Sequence, residues 1–412
     1  MTRFLPLIGL ATLLAGCQPT DAPASPSSTE ATVFAGAVAP DLASTEAGAL
    51  AVWVESTDAE RRLMALPPNA TALTEVFAGS VSMHGQAGPR VTTAPDGSAY
   101  ITFAQEQKVE GRRFSASTLW LTRSEDQGAS WSAPVRVHPD PGFPTGHTFH
   151  NLAVGPDGTV YVSWLDGTAR DQWRLDNPEQ TAGRSSNAPP IRLVHEGESH
   201  ASDGPEPGTT LMVARSTDEG ASFEAPVPLA EGTCQCCRTA LAASEEAVYA
   251  TWRHIFPNGE RDIALARSED GGQTWMEPVR VFADAWAIDG CPHAGPDLTV
   301  QSDGSVVIAW PTGVEGRSGI WSTVTTDGGE TFAEPTPLLA SAPLGQVAVA
   351  RDGQGRVWMA WEDTRTTEIL LAQSGGTDTL RVSGSAPALA GTASGWRLAR
   401  ETADGTRITS GS

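Results

Sequence analysis

The sequence predicts an all-β fold, a six-bladed β-propeller with four-stranded antiparallel blades, on three observations. A β-prone stretch ending in an aromatic ring recurs six times, an Asp-Gly turn precedes most copies, and the copies follow one another at roughly fifty residues. Units of this length with four strands have the size of propeller blades. The repetition covers nearly all of residues 36–412, which are therefore predicted to form one domain.

Each unit is predicted to open with a hairpin whose second strand ends on a large ring. The six rings are Trp53, Phe103, Trp164, Trp252, Trp310 and Trp361. Asp-Gly turns lie just upstream of four of them, and glycine supplies the positive φ that a tight hairpin needs. Residues 395–408 are predicted to supply a closing strand, and the polar residues 167–208 an inserted surface loop.

A second motif follows the ring in four of the units. It reads Ser/Thr-x-Asp-x-Gly-x-Ser/Thr followed by Trp or Phe, at residues 124–131, 216–223, 268–275 and 325–332. The aspartate can accept hydrogen bonds from amides of its own turn, and the ring can pack beneath it. The motif resembles the Asp-box, or bacterial neuraminidase repeat, of the sialidase superfamily. The resemblance implies that each turn joins the third and fourth strands of a blade. It also implies that the aspartates are structural, namely Asp126, Asp218, Asp270 and Asp327.

The first 16 residues have the pattern of a secretory signal peptide. Arg3 gives a positive start, an apolar run follows from residue 4 to residue 14, and small residues precede Cys17. The ending Leu14-Ala15-Gly16-Cys17 resembles the lipobox of bacterial lipoproteins, which implies that Cys17 is lipidated and becomes the mature N-terminus. Gln18 in place of Asp then implies the outer membrane of a Gram-negative bacterium. The alternative is an ordinary secreted protein with an unrelated cysteine at that position.

Residues 17–35 are rich in Pro, Ser, Thr and Ala, and are predicted to form the lipidated N-terminus and a flexible tether. The formal net charge of −22 argues against nucleic acid as a partner and against charge-driven binding to an anionic membrane. The membrane is therefore expected as a partner only through the lipid anchor. We expect an extracytoplasmic monomer.

The strand order of a propeller blade brings two sets of residues to one mouth of the central channel. The first strand of a blade begins at that mouth and the second ends there, whereas the Asp-box turn lies on the opposite face. Residues about 14–19 positions before each ring, and one to four after it, should therefore line one rim. This rim contains all four cysteines after Cys17 and five of the eight histidines.

These residues predict a Cys/His cluster at the channel mouth. Its members are Cys234, Cys236, Cys237, Cys291 and His293, with His84, His147 and His150 near enough to contribute. Thiolate and imidazole ligands suit copper or zinc. The other interpretation is a disulfide, because an oxidising compartment pairs cysteines and a bridge to Cys291 would link units four and five. One bridge beside a His-rich metal site is a third. The histidines outside the rim, among them His138, His195 and His200, are expected to be solvated.

The resemblance to sialidases also implies a catalytic mechanism. In that family a tyrosine assisted by a glutamate attacks the sugar, an aspartate acts as acid and base, and three arginines hold the substrate carboxylate. Arg90 falls near the position of the first arginine, although Val91-Thr92 replaces the family's Ile-Pro. The three tyrosines lie inside second strands, and none comes late in the chain, where the family's nucleophile belongs.

The remaining polar residues of the rim form a candidate ligand-binding surface. They are Arg90, Glu106, Asp166, Arg238, Arg253, His254, Asp363 and Arg365. The function predicted first is a binding module that holds a soft metal such as copper or zinc, or a partner or glycan ligand, at the mouth. The alternative is an exo-α-sialidase or a related glycoside hydrolase. The sequence leaves open whether the protein is an enzyme and assigns no catalytic residue.

Overall fold

The computed structural model of the chain describes residues 31–57, 60–110, 112, 114–181, 206–288, 290–376 and 378–412. The signal peptide, Cys17 and most of the tether lie outside these residues, so exported and lipid-anchored status stays a prediction. His195 and His200 also lie outside them. Across the described ranges, no helix is long and apolar enough to cross a membrane.

The described strands form seven antiparallel sheets of four strands each, and every sheet is one blade. Strand β1 (Thr32–Ala35) belongs to the last blade. Blade 1 contains β2 (Ala37–Thr45), β3 (Gly48–Ser56), β4 (Arg61–Leu66) and β5 (Thr74–Ala78). Blade 2 contains β6 (Arg90–Thr93), β7 (Ala99–Gln107), β8 (Ala116–Ser124) and β9 (Val135–Arg136). Blade 3 contains β10 (His147–Val154), β11 (Val160–Asp166), β12 (Thr209–Ser216) and β13 (Val227–Thr233).

The next three blades follow the same order along the chain. Blade 4 contains β14 (Ala240–Ala243), β15 (Val248–Arg253), β16 (Ile263–Ser268) and β17 (Val279–Arg280). Blade 5 contains β18 (Asp297–Val300), β19 (Val306–Thr312), β20 (Gly319–Thr325) and β21 (Thr336–Ala340). Blade 6 contains β22 (Val347–Arg351), β23 (Val357–Asp363), β24 (Glu368–Gln373) and β25 (Leu380–Ser383). The first strand of each blade lies beside the first strand of the next, all the way around a closed ring.

The prediction of six blades is wrong, because the C-terminal residues form a seventh. Blade 7 contains β26 (Ser385–Thr392), β27 (Gly395–Thr402), β28 (Gly405–Gly411) and, as its outer strand, β1. β1 pairs antiparallel with β28, from Thr32 opposite Ile408 to Ala35 opposite Gly405, so the two ends of the chain close the ring. The second strand of this blade has its ring, Trp396, near its start and ends without one, so counting strand-terminal rings overlooked it.

Seven apolar cores lie between neighbouring blades, one at each junction. The six rings that marked the repeats are buried in these cores, with exposures between 0% and 3%. Trp164 of blade 3, for example, packs in one cluster with Leu121 of blade 2. Replacing a buried ring of this size by alanine typically costs about 3–5 kcal/mol. The aromatic repeat read from the sequence is thus the packing that joins one blade to the next.

The four Ser/Thr-x-Asp turns connect the third and fourth strands of blades 2 to 5 and share one hydrogen-bond pattern. In the turn after β12, Asp218 Oδ1 accepts the Ser222 N–H at 2.9 Å, and Oδ2 accepts the Ser222 hydroxyl at 2.5 Å. These hydrogen bonds, that of the Ser222 hydroxyl first, lower the pKa of Asp218 to about 2. The equivalent bonds at Asp270 lower its pKa to about 2 as well. Each aspartate is therefore occupied within its own turn.

Residues 167–208 do not form a simple surface loop in the part that is described. Helix α1 (Thr168–Asp176) and the short helix α2 (Pro178–Thr181) follow β11 directly. Asp171 of α1 is buried and accepts hydrogen bonds from Thr145 at 2.8 Å and from Arg112 at 3.1 Å. The helix is therefore fixed to blades 2 and 3. The remainder of the insertion, residues 182–205, lies outside the described residues.

Candidate functional site at the channel mouth

The Cys/His cluster comes together from two chain segments. Cys234, Cys236 and Cys237 lie between β13 and β14, and all three are buried. The Sγ atom of Cys234 lies 3.7 Å from that of Cys236 and 3.6 Å from that of Cys237. These cysteines are free in the structure, as is Cys291.

Cys291 and His293 lie on the segment between β17 and β18, and both are exposed. Their ligand atoms and the Sγ of Cys236 all lie within 4.8 Å of one another. Cys236 thus belongs to two triplets, one buried and one partly exposed. Residue counting from the aromatic rings predicted this meeting of the segments that enter blades 4 and 5.

Hydrogen bonds among the three buried thiols shift their pKa values in different directions. Cys234 accepts hydrogen bonds from the thiols of Cys236 and Cys237, and these bonds hold its pKa well below the usual range. The guanidinium of Arg261, 3.6 Å from the Cys234 Sγ, favours the thiolate further. Burial raises the pKa of Cys237 to about 12, and donation to Cys234 raises that of Cys236. Cys234 is therefore the sulfur of the buried triplet whose pKa is lowered.

The three histidines expected near the cluster have different surroundings. The ring centroid of His84 lies 5.6 Å from that of His293, so the blade 2 loop reaches blade 5. His150 is fully buried, its Nε2–H donates to the Thr102 carbonyl at 3.2 Å, and burial lowers its pKa to about 3. His147 contacts the Ser117 carbonyl at 2.9 Å. Neither His147 nor His150 belongs to the two ligand triplets found among the described residues.

His138 was expected to be solvated, but it is buried and stacks on His147. The two ring centroids lie 3.4 Å apart with an interplanar angle of 10°. The Leu119 N–H donates to His138 Nε2 at 3.2 Å, and burial lowers the pKa of His138 to about 4. A cleft of about 250 Å³ lies beside this pair at the rim between blades 2 and 3. Its lining includes Gln107, Arg136, His138, Asp140, Phe143 and His147.

Two of the rim arginines lie deep in the channel, each beside a carboxylate. Arg90 Nη1 lies 3.6 Å from Asp41 Oδ1, and Arg238 Nη2 lies 4.0 Å from Asp297 Oδ2. Arg238 also donates to the Val347 carbonyl of blade 6. Burial raises the pKa of Asp41 and of Asp297. These two arginines therefore fill the channel below the mouth.

Arg253 and Arg365 are also committed to neighbours. Arg253 is 1% exposed and donates to the carbonyls of Ala294, Arg261 and Pro311, at distances from 2.6 to 3.2 Å. Arg365 forms a two-pronged ion pair with Asp363, at 2.8 Å and 2.7 Å. The guanidinium of Arg365 and the carboxylate of Asp363 are therefore paired with each other.

The polar residue two positions after a tryptophan ring has a structural partner in three blades. It accepts the indole N–H of that ring, as Glu55 does from Trp53, Asp166 from Trp164 and His254 from Trp252. In blade 2 the equivalent position is Gln105, which accepts the indole N–H of Trp120 at 3.1 Å, and Glu106 lies one residue further along. Its carboxylate pairs instead with Arg61 of blade 1 at 2.8 Å, and its side chain is 30% exposed. Of the three predicted rim carboxylates, Glu106 has the most exposed side chain, at 30% against 15% for Asp166 and 4% for Asp363.

The three tyrosines lie away from the mouth. Tyr100, Tyr161 and Tyr249 are between 1% and 4% exposed, and burial raises the pKa of each. Gly220 and Gly272, in the Ser/Thr-x-Asp turns, pack over Tyr100 and Tyr161. A tyrosine nucleophile at the mouth is therefore ruled out, because the chain has three tyrosines and all three are accounted for.

Sequence reasoning overlooked several residues of this region. Arg61, at the start of a third strand, contacts Glu106, and Arg261, just before another third strand, contacts Cys234. The rule for the rim did not include these positions. Asp41 and Asp297 accept backbone N–H groups of the following blade, from Val91 at 2.9 Å and Val349 at 2.8 Å. Their shared position in the first strand was a repeat signal that could have been found.

Comparison with known proteins gives a consistent class for the fold. No family model matches the chain. A xyloglucanase from Paenibacillus sp. is 27% identical over 217 residues, which are 48% of this chain and 15% of the xyloglucanase. The chain thus spans a small part of the curated relative that it matches.

Solved structures resemble the chain over most of its length. Hadza microbial sialidase Hz136 has a TM-score of 0.52 at 15% identity, covering 86% of this chain and 73% of its own. The leech intramolecular trans-sialidase has a TM-score of 0.51 at 12% identity, covering 87% and 80%. The α-L-arabinanase of Penicillium chrysogenum has a TM-score of 0.51 at 13% identity, covering 79% and 92%. The fold is therefore a β-propeller of the kind found in sialidases and other glycoside hydrolases.

Proposed function

We propose that this chain is a carbohydrate-active propeller of the glycoside hydrolase class, which binds and cleaves a saccharide at the channel mouth. The observation that carries the proposal is the match to a xyloglucanase over 217 residues, together with the propeller fold shared with sialidases and an arabinanase. The four Ser/Thr-x-Asp turns support assignment to the Asp-box superfamily. The lipobox-like sequence at Cys17 supports export and attachment to the outer membrane.

The rim between blades 2 and 3 is the part of the mouth best suited to a sugar. The 250 Å³ cleft combines an aromatic ring, Phe143, with the polar groups of Gln107, Arg136 and Asp140. Saccharides are commonly held by such a mixture, because one face of a sugar is apolar and its hydroxyls need hydrogen-bond partners. Glu106 directly precedes Gln107 in the chain and stands at the end of β7.

Glu106 is the carboxylate that we assign to the reaction. Glycoside hydrolases use a carboxylate as base or nucleophile, paired with a proton donor. The guanidinium of Arg61 pairs with the Glu106 carboxylate at 2.8 Å and holds it in place at the end of β7, and we assign Glu106 the role of base or nucleophile. The sialidase mechanism is not proposed, since all three tyrosines are buried inside the second strands of their blades.

The test is hydrolysis by purified protein of a panel containing xyloglucan, arabinan and a fluorogenic sialoside. Reducing ends or released fluorophore are measured for the wild type and for Glu106→Gln. We expect activity on a neutral polysaccharide, and a loss of at least about 100-fold in the variant. Glu219→Gln, on a Ser/Thr-x-Asp turn of the opposite face, is the matched control and should keep wild-type activity. Absence of both hydrolysis and binding across the panel contradicts the proposal.

A further inference from the structure

The Cys/His cluster has ligand spacing that suits one metal ion. Ligand sulfurs at about 2.3 Å from a tetrahedral ion lie about 3.8 Å apart. The Sγ of Cys234 lies 3.7 Å from that of Cys236 and 3.6 Å from that of Cys237, and both distances are close to this value. Cys236 also meets Cys291 and His293 within 4.8 Å, which adds an imidazole and a fourth thiol from another blade.

Burial divides the cluster into an inner and an outer part. Cys234, Cys236 and Cys237 are between 1% and 4% exposed, whereas Cys291 and His293 are exposed. An ion arriving from solvent therefore meets the thiol of Cys291 and the ring of His293 first. Cys236 lies within reach of both parts, so the ion needs no rearrangement of the fold to gain a buried ligand.

We propose that the Cys/His cluster binds one thiophilic d10 cation, Zn(II) or Cu(I), through Cys236, Cys291 and His293, whose ligand atoms all lie within 4.8 Å of one another. Two thiolates and one imidazole suit a tetrahedral Zn(II) with one further ligand, and soft sulfur ligands also select Cu(I). Arg261, at 3.6 Å from the Cys234 sulfur, places a positive charge beside the buried part of the cluster. The ion joins the segments that precede β14 and β18, and so cross-links blades 4 and 5 at the mouth.

Reduced full-length protein is incubated anaerobically with Zn(II) or with Cu(I), desalted, and analysed for metal content and thermal stability. The variants are Cys291→Ser and His293→Ala, and the matched control is Cys17→Ser, which removes the one cysteine outside the cluster. Co(II) loading gives an independent spectroscopic reading, since thiolate ligands produce sulfur-to-metal charge-transfer bands.

The wild type and Cys17→Ser should retain about one equivalent of metal and melt at a higher temperature when loaded. Cys291→Ser should weaken metal binding by at least about 100-fold. This is the upper range for losing a residue that only supports a ligand, and Cys291 is itself a ligand. Because unloaded Cys291→Ser keeps all contacts of the buried triplet, its unloaded melting temperature should equal that of the wild type. No retention by reduced wild type, or equal retention by Cys291→Ser, overturns the proposal. Complete oxidation of the four thiols in native protein also overturns it.

Discussion

Replacement of Arg253 tests whether this rim arginine is a structural link rather than a ligand group. The guanidinium donates to the carbonyls of Ala294, Arg261 and Pro311, and stacks over Trp286 with the guanidinium carbon 4.8 Å from the ring centroid. In Arg253→Met the three buried carbonyls lose these donors, and each unpaired buried group costs about 1–3 kcal/mol. The apolar stem of methionine keeps part of the packing on the ring.

We therefore expect Arg253→Met to lower the free energy of unfolding by about 4 kcal/mol. Urea denaturation followed by tryptophan fluorescence measures this as a lower midpoint with an unchanged slope. Arg253→Lys keeps the charge but has fewer donors, so its stability should lie between those of the wild type and Arg253→Met. Arg351→Met is the matched control, because Arg351 is exposed at the end of β22, and it should change stability by less than about 0.5 kcal/mol. A loss below about 1 kcal/mol for Arg253→Met would refute the structural role.

Three further predictions follow from the same contacts. Fluorogenic sialosides should show no turnover above background with purified protein, because every tyrosine is buried away from the mouth, and robust release of sialic acid would show that another nucleophile operates. Cys17→Ser should move the protein from the membrane fraction to the soluble one in cells, and unchanged fractionation would exclude lipidation there. His150, whose pKa falls to about 3 on folding, is neutral when buried, so its contribution is complete above pH 6.5 and declines as the pH falls towards 3. At pH 5 the loss in the free energy of unfolding amounts to about 2 kcal/mol. In urea melts, His150→Phe should lose less stability than the wild type between pH 6.5 and pH 5. Equal losses in the two proteins would contradict the assignment.

The repeat architecture was readable from the sequence where a blade carried its ring at the end of the second strand. Blade 7 has its tryptophan, Trp396, at the opposite end of that strand, and its outer strand comes from residues 32–35. The pairing of β1 with β28 leaves no local signal, because three of the four β1 side chains are exposed and only Phe34 is partly buried. The ring count therefore stopped one blade short.

The candidate site was predictable as a set of chain positions and not as a set of contacts. Counting from the rings placed Cys236 and Cys291 at one mouth, and the structure brings their sulfurs within 4.8 Å. Counting could not show that Arg253 and Asp166 are occupied by a backbone and an indole partner. It also placed His138 in solvent, because the residue-counting rule could not show that its ring packs against His147 and Trp164.

Hydrogen–deuterium exchange with a bound oligosaccharide from the panel tests most directly the claim that the chemistry lies at the mouth. Binding should slow exchange in residues 105–107 and 138–147, which border the cleft between blades 2 and 3. The four Ser/Thr-x-Asp turns, at residues 124–131, 216–223, 268–275 and 325–332, should exchange at the same rate with and without the ligand. Protection confined to those turns, with the cleft residues unchanged, would contradict the account.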